Sequence, residues 1–97
     1  MIVYIAGKMT GLQDLGRARF GAAEKALREN GNIVLNPAML PVGMPQERYM
    51  PICLAMVSAA DAVYALNGWM ESNGATVEIR YAYYQGKPII YESEVNP

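Results

Sequence analysis

The sequence lacks several of the residues on which common catalytic and metal-binding sites depend. It contains no histidine and a single cysteine, Cys53, among its 97 residues. Histidine-based triads, histidine-ligated zinc, multi-cysteine metal sites and an internal disulfide are therefore excluded. Any chemistry performed by this chain has to rely on other side chains, and we expect it to use no metal and no cofactor.

Charge is also sparse. Only 18% of the residues are charged, the formal net charge is −1, and there is no basic run. The electrostatic footprint of a protein that binds a nucleic-acid polymer is thus missing, whereas a single nucleotide needs only local donors for its phosphate. No apolar stretch reaches the length of a membrane span, and the first residues lack the features of a signal peptide. We expect a cytoplasmic protein without a membrane partner.

Hydrophobic residues, in contrast, make up 53% of the sequence, which is too apolar for a disordered chain. The length predicts one domain spanning residues 1–97. Methionine and tyrosine each occur seven times, and both are favoured in the cores of protein interfaces. Two interpretations stay open, because these side chains either fill a small core or form a surface that another subunit covers.

Apolar runs alternate with helical patterns along the chain. Strands are predicted at residues 2–6, 32–35, 61–66 and 89–91, and helices at residues 14–29, 47–60 and 74–85. Pro51 interrupts the second helical pattern, so that helix is expected to begin near Pro51 or to kink there. The alternation indicates an α/β fold, a small Rossmann-like three-layer sandwich with a four- to five-stranded parallel sheet.

A ligand site is expected at three loops. Ligands of open parallel sheets bind beyond the carboxyl ends of the strands, which selects residues 7–13, 36–46 and 67–74. Each loop leads to a helix start, where free N–H groups attract phosphate. Gly7 and Gly11 permit a close approach of the backbone to a ligand. The alternative is that both glycines only serve the turn.

The acidic residues differ in how well they could reach such a site. Asp61 begins a strand, so it is expected at the opposite edge of the sheet. Glu92 and Glu94 follow the last strand and are expected to be tail charges. The candidates that remain near the loops are Asp14, Glu47, Glu71 and Glu78. Glu78 lies one turn into a helix, where a catalytic role and a favourable charge near a helix start are both open.

Two segments carry a resemblance to a known family. Residues 4–11, YIAGKMTG, resemble the opening of the nucleoside 2-deoxyribosyltransferase-like superfamily, and residues 72–78, SNGATVE, resemble its catalytic helix. The pattern is most similar to a small subfamily of uncharacterised domains that is frequent in phages and prophages. It also resembles the 2′-deoxynucleoside 5′-phosphate N-hydrolases. The resemblance covers nearly the whole chain and implies the host cytoplasm if the protein is phage-encoded.

The resemblance implies a role for each matching residue. Glu78 would attack the anomeric carbon of a nucleoside or nucleotide and form a glycosyl-enzyme. Ser72 and Gly74 would meet a phosphate or sugar hydroxyl, and the Gly7–Gly11 loop would line the sugar and base. Trp69 would either stack on a base or plug its loop against the core. The other substrate-binding candidates are Tyr4, Lys8, Met9 and Asn36.

One position departs from the family pattern. Active relatives carry an aspartate on the helix before the third strand, and Cys53 stands at about that position. A thiol is a weaker hydrogen-bond acceptor than a carboxylate. Three functions therefore stay open: an enzyme that cleaves or exchanges N-glycosidic bonds, a non-catalytic module that binds or sequesters a nucleotide derivative, and a structural protein. The resemblance also implies a homodimer or higher homo-oligomer.

Overall fold

The computed structural model describes residues 1–95, so the last two residues of the predicted domain lie outside the described residues. The described residues form four strands, which are β1 (Ile2–Ala6), β2 (Ile33–Leu35), β3 (Ala62–Ala65) and β4 (Ile89–Tyr91). All pairings are parallel and the spatial order is β2-β1-β3-β4. The predicted α/β fold with a parallel sheet is confirmed, and the number of strands is the lower of the two expected.

Helices connect these strands. They are α1 (Arg17–Glu29), α2 (Gln46–Ala59), α3 (Asn73–Tyr84) and a short α4 (Glu92–Val95), with 3₁₀ turns at Pro37–Met39 and Trp69–Glu71. None of the helices within residues 1–95 combines the length and the hydrophobicity that crossing a membrane requires.

Each face of the sheet has its own core. Tyr4 and Ala6 of β1 pack with residues of α2 and α3, whereas Val3 and Ile5 pack with residues of α1. Residues 3–6 are all fully buried, because a central parallel strand is covered on both faces. The three layers are thus helix α1, the sheet, and the pair α2 and α3.

Helix α1 begins later than its sequence pattern predicts. Residue 14 was the predicted start, but Leu15 and Gly16 have positive φ angles of 55° and 77°, and the helix begins at Arg17. The Asp14 carboxylate accepts hydrogen bonds of 2.9 Å from the N–H groups of Gly16 and Ala18. These bonds lower the pKa of Asp14, the one from Ala18 most. Asp14 therefore caps the helix and does not belong to it.

Helix α2 contains Pro51, and the expectation that it begins near Pro51 is wrong. The helix starts at Gln46 and runs through the proline. A proline inside a helix removes one hydrogen bond to the carbonyl four residues earlier, here that of Glu47. Both Pro51 and Glu47 are exposed, so water can satisfy that carbonyl.

Two acidic residues accept backbone hydrogen bonds at the edges of the sheet. Asp61 lies at the amino edge, as expected, and its Oδ2 accepts a 2.8 Å hydrogen bond from the Ile2 N–H. Glu92 is not a loose tail charge, because its Oε1 accepts a 2.8 Å bond from the Asn67 N–H and a 3.3 Å bond from Arg19. Glu92 thereby holds the loop after β3, which leads to α3.

Candidate active site

A cavity of about 140 Å³ opens at the carboxyl edge of the sheet. All three of the loops selected from the sequence reach it. The segment after β1 contributes Gly7, Met9, Thr10 and Leu15, and the turn after β2 contributes Pro37. Helices α2 and α3 form the other walls, so the cavity lies between these helices and the ends of the central strands.

The start of α3 presents donors to this cavity. Ser72 caps the helix, and its Oγ accepts a 3.1 Å hydrogen bond from the Ala75 N–H. Within the described chain, the N–H groups of Asn73 and Gly74 have no partner, as is usual for the first positions of a helix. A side chain at Gly74 would place its Cβ 3.3 Å from Met50 Cε, so glycine keeps this wall open. The arrangement suits a phosphate or another anion.

Glu78 lies one turn further along α3 and lines the same cavity. Its side chain belongs to the buried face of the helix, and only 7% of the residue is exposed. Burial raises the pKa of Glu78 to about 7, and the neighbouring Tyr4 hydroxyl and Cys53 thiol lower it by less. Near neutral pH this carboxyl group is thus present in both its protonated and its ionised form. A buried cavity residue with such a pKa is a candidate for catalysis.

Tyr4 lies in the middle of β1, beneath this helix, and is fully buried. Among the described residues its Oη has no hydrogen bond of ordinary geometry, although the side chain lies near Glu78. Burial and the Glu78 charge raise the pKa of Tyr4 well above its usual range, so the phenol stays protonated. Buried polar groups are nearly always paired. The hydroxyl oxygen is itself shielded, and its nearest effect is on the Glu78 carboxyl group, whose pKa it lowers.

Cys53 joins this group from α2. It is buried, lines the cavity, and interacts with both Tyr4 and Glu78. Burial raises the pKa of the Cys53 thiol, and the nearby Glu78 raises it further, whereas Tyr4 lowers it. The thiol therefore stays protonated at neutral pH.

Helix α2 contributes a wall of which the sequence interpretation had identified only Cys53. Gln46, Tyr49, Met50 and Cys53 all line the cavity. Their spacing of three, four and seven residues places them on one face of a helix. That spacing was a usable signal, but it is equally typical of a helix face that packs against a core.

The predicted site residues divide into two groups. Those that line the cavity are Tyr4, Gly7, Met9, Ser72, Gly74 and Glu78. Those outside its lining are Lys8, Gly11, Asn36 and Trp69. Gly11 has a φ angle of 85°, so it serves the turn.

The three larger side chains outside the lining have other contacts. The Lys8 Nζ pairs with Glu71 Oε2 at 3.5 Å on the surface. The Trp69 ring lies 6.0 Å from that of Tyr91 at 37°, and packs against the core, which is the alternative to base stacking. Asn36 lines a separate, wider groove of about 580 Å³ beside α1.

Asn36 is held there by two bonds. Its Nδ2 donates to Glu24 Oε1 at 2.9 Å, and its Oδ1 accepts from the Ala38 N–H at 2.9 Å. The acidic candidates Asp14, Glu47 and Glu71 do not line the cavity either. Residues 1–95 contain no group of three or more acidic, cysteine or histidine side chains that could hold a metal ion.

Solved structures of similar shape place this arrangement among known folds. A 2-deoxyribosyltransferase from Leishmania mexicana superposes with a TM-score of 0.75 at 21% identity, covering 93% of this chain and 62% of its own. A 2-deoxyribosyltransferase from Bacillus psychrosaccharolyticus gives 0.73 at 22% identity, covering 94% and 71%. The CMP N-glycosidase BcmB from Clostridium botulinum gives 0.68 at 22% identity, covering 100% and 75%. This chain thus has their fold and spans less than two thirds of the Leishmania protein.

Sequence comparison defines the family. No curated protein matches the sequence closely enough to count as a relative. A family model described as "Domain of unknown function (DUF4406)" matches residues 1–91, and the chain therefore belongs to that family.

Proposed function

We propose that this chain binds a nucleoside or nucleotide in the cavity and cleaves or exchanges its N-glycosidic bond, with Glu78 as the nucleophile. The observation that carries the proposal is a buried carboxyl group of pKa about 7 in a cavity at the carboxyl edge of the sheet. The fold supports it, since proteins that share it are named as 2-deoxyribosyltransferases and a CMP N-glycosidase.

The reaction would proceed in two displacement steps. An ionised Glu78 oxygen forms a bond to C1′ while the C1′–N bond breaks. The electron pair of the C1′–N bond stays with the departing base. Water then attacks C1′, the bond to Glu78 breaks, and the base anion takes up a proton from solvent in exchange for the one that the water releases. A second base in place of water would give exchange. Two steps of lower barrier replace one difficult step, as in retaining glycosidases.

The rest of the cavity would bind the substrate. Ser72 and the free N–H groups at Asn73 and Gly74 suit a phosphate or sugar hydroxyl. The loop residues Gly7 and Met9 would line the sugar and base. Hydrolysis of a nucleotide is favoured over transfer, because Ser72 and Gly74 resemble the phosphate-binding helix start of the nucleotide N-hydrolases.

The test is release of free base from a panel of nucleosides and nucleoside 5′-monophosphates, ribose and deoxyribose forms included. The wild type is expected to release base. Glu78→Gln is expected to release it at least about 100-fold more slowly, because an amide is a poor nucleophile. Glu47→Gln is the matched control, since Glu47 is acidic, exposed and outside the cavity lining. Equal rates for wild type and Glu78→Gln on every substrate would refute the reaction.

A second candidate function is binding without turnover. It is favoured by Cys53, which stands where the family resemblance leads us to expect an aspartate and which burial keeps protonated. Such a module would sequester or sense a nucleotide derivative. Tight binding of an intact nucleotide, with no base released by the wild type over hours, would select this function.

Two further proposals concern the protein as a whole. We propose that the protein forms a homodimer or higher homo-oligomer, because large apolar side chains such as Val77, Tyr83 and Tyr84 are exposed on α3. A monomeric mass at micromolar concentration would contradict this. The cytoplasm, of a host cell if the gene belongs to a phage, is the location that we propose.

A further inference from the structure

The Glu78 carboxyl group faces the cavity without a cation beside it. Within residues 1–95, the ion pairs of lysine and arginine side chains go to Glu71, Glu92 and Glu24. Placing a negative charge in a buried site without a counter-charge is costly. A ligand that brings a positive charge into the cavity would supply the missing counter-charge, so the Glu78 carboxylate would favour its binding.

The other acidic side chains of residues 1–95 lie outside the cavity lining, and several have partners of their own. Asp14 caps α1, Asp61 binds the start of β1, and Glu92 holds the loop after β3. In the part of the chain that the structure describes, Glu78 is the one carboxyl group that lines the cavity. A second carboxyl group that could protonate a departing base is thus not supplied by these residues.

The remaining titratable neighbours of Glu78 are weak acids. Tyr4 and Cys53 lie beside it, and burial raises the pKa of both. A general acid works best when its pKa lies near the working pH. The sequence also contains no histidine that could take this role. Apart from Glu78 itself, which the proposed reaction uses as its nucleophile, these neighbours are therefore poor proton donors.

This combination suits one kind of leaving group. When an N-glycosidic bond breaks, its electron pair passes to a ring nitrogen of the base. A neutral base becomes an anion unless it is protonated, whereas an N-alkylated, positively charged base becomes neutral and needs no proton. The same positive charge would attract the Glu78 carboxylate across the low-dielectric cavity.

We propose that the cavity selects N-glycosides whose base is positively charged before the bond breaks, that is, nucleotides of N-alkylated purines or pyrimidines. The inference rests on the proposed function of Glu78. In the first step the Glu78 oxygen bonds to C1′, the C1′–N pair neutralises the base, and no proton moves. In the second step water adds to C1′, the pair of the ester bond returns to Glu78, and the proton goes to solvent.

Two matched pairs of ligands test the inference. They are 1-methyladenosine 5′-monophosphate against AMP and 3-methylcytidine 5′-monophosphate against CMP, each pair differing by one methyl group and one charge. Binding is measured by calorimetry at pH 7 and base release by chromatography, with loss in the absence of protein subtracted. Wild type is expected to bind each methylated nucleotide at least about tenfold more tightly, and to release base from it faster. Glu78→Gln, checked for folding by circular dichroism, is expected to lose the preference.

A second measurement needs no variant. At pH 5 the wild-type carboxyl group is protonated, so the preference for the methylated nucleotides should shrink. Glu78-dependent base release at equal rates from both members of each pair would overturn the inference and leave the proposed function standing. Preferential binding without base release would support the charge selection and overturn the reaction. Equal or absent binding, without release, would overturn both.

Discussion

At the scale of single residues, the site depends on three buried groups that interact with one another. Tyr4, Cys53 and Glu78 come from β1, α2 and α3, and each has a raised pKa for which burial is the largest cause. Burial keeps the phenol and the thiol protonated, and these two groups limit how far the pKa of Glu78 rises. The carboxyl group can consequently ionise near neutral pH although it is buried.

Replacing Tyr4 by phenylalanine tests this description. Tyr4→Phe removes a buried hydroxyl that makes no hydrogen bond of ordinary geometry, so at pH 5, where Glu78 is protonated, the unfolding free energy is expected to stay equal or rise by up to about 1–3 kcal/mol. The same change removes a group that lowers the pKa of Glu78, so the pH–rate profile for base release should move to higher pH. Urea denaturation and initial rates between pH 5 and 9 measure the two effects.

Tyr49→Phe is the matched control for stability. Its hydroxyl also lies at the cavity, but it donates to the Pro41 carbonyl and accepts from the Met44 N–H at 3.2 Å. Losing it should therefore destabilise the protein by about 1 kcal/mol. If Tyr4→Phe destabilised the protein as Tyr49→Phe does, the Tyr4 hydroxyl would have a partner in the folded chain.

At the scale of elements, the sequence predicts well where the strands lie, but it predicts poorly in which direction individual side chains point. Each of the four strands lies within its predicted range, because runs of apolar residues between turn signals have few other interpretations. The start of α1 was missed because Asp14 caps the helix through residues of positive φ, which no periodicity reveals.

The same limit applies to the site. Lys8 and Asn36 belong to the selected loops, yet their side chains contact Glu71 and Glu24 outside the cavity. Neighbours along a loop point in different directions, and only the packed chain shows which of them face a ligand. Residue Cys53 was found through the family resemblance, whereas its contact with Tyr4 depends on how α2 packs on the sheet.

In the Gly7–Gly11 segment, Gly7 both lines the cavity and packs closely against the core. A Cβ on Gly7 would lie 2.9 Å from Leu66 Cδ1 and 3.2 Å from Phe20 Cζ, both of them fully buried side chains. Gly7→Ala is therefore expected to lower the unfolding free energy by about 1–3 kcal/mol through overpacking. Urea denaturation of the variant against wild type measures this loss.

Gly21→Ala supplies the control of opposite sign. Gly21 lies within α1, and a Cβ there would meet nothing within 4 Å. Alanine is the better helix former, so this variant should gain about 1 kcal/mol. Equal stability of Gly7→Ala and wild type would show that the loop after β1 adapts, and would return Gly7 to a role in ligand binding alone.

At the scale of the whole molecule, the candidate site is expected to reduce stability. A domain of this size has only about 5–15 kcal/mol of unfolding free energy. Glu78 is buried beside Tyr4 of β1 and Cys53 of α2, where an ionised carboxyl group loses its hydration. The folded state is therefore less stable when Glu78 is ionised than when it is protonated.

The dependence of stability on pH follows from this. The pKa of Glu78 is about 7 in the folded chain, against 4.5 for an ordinary glutamate. Between these values the folded state holds a proton that the unfolded state has released, so the unfolding free energy falls as pH rises and then levels above pH 7. At about 1.4 kcal/mol per pKa unit, the loss amounts to roughly 3 kcal/mol.

Glu78→Gln isolates that contribution, because other titrating groups act equally in both proteins. The variant is expected to gain stability relative to wild type as pH rises from 4.5 to 7, by roughly 3 kcal/mol in total, and no further above it. Glu47→Gln, an exposed control on α2, should run parallel to wild type. Urea midpoints at half-unit pH steps measure the three curves. A constant difference between Glu78→Gln and wild type would mean that the pKa of Glu78 is the same in the folded and the unfolded chain, so that burial does not raise it.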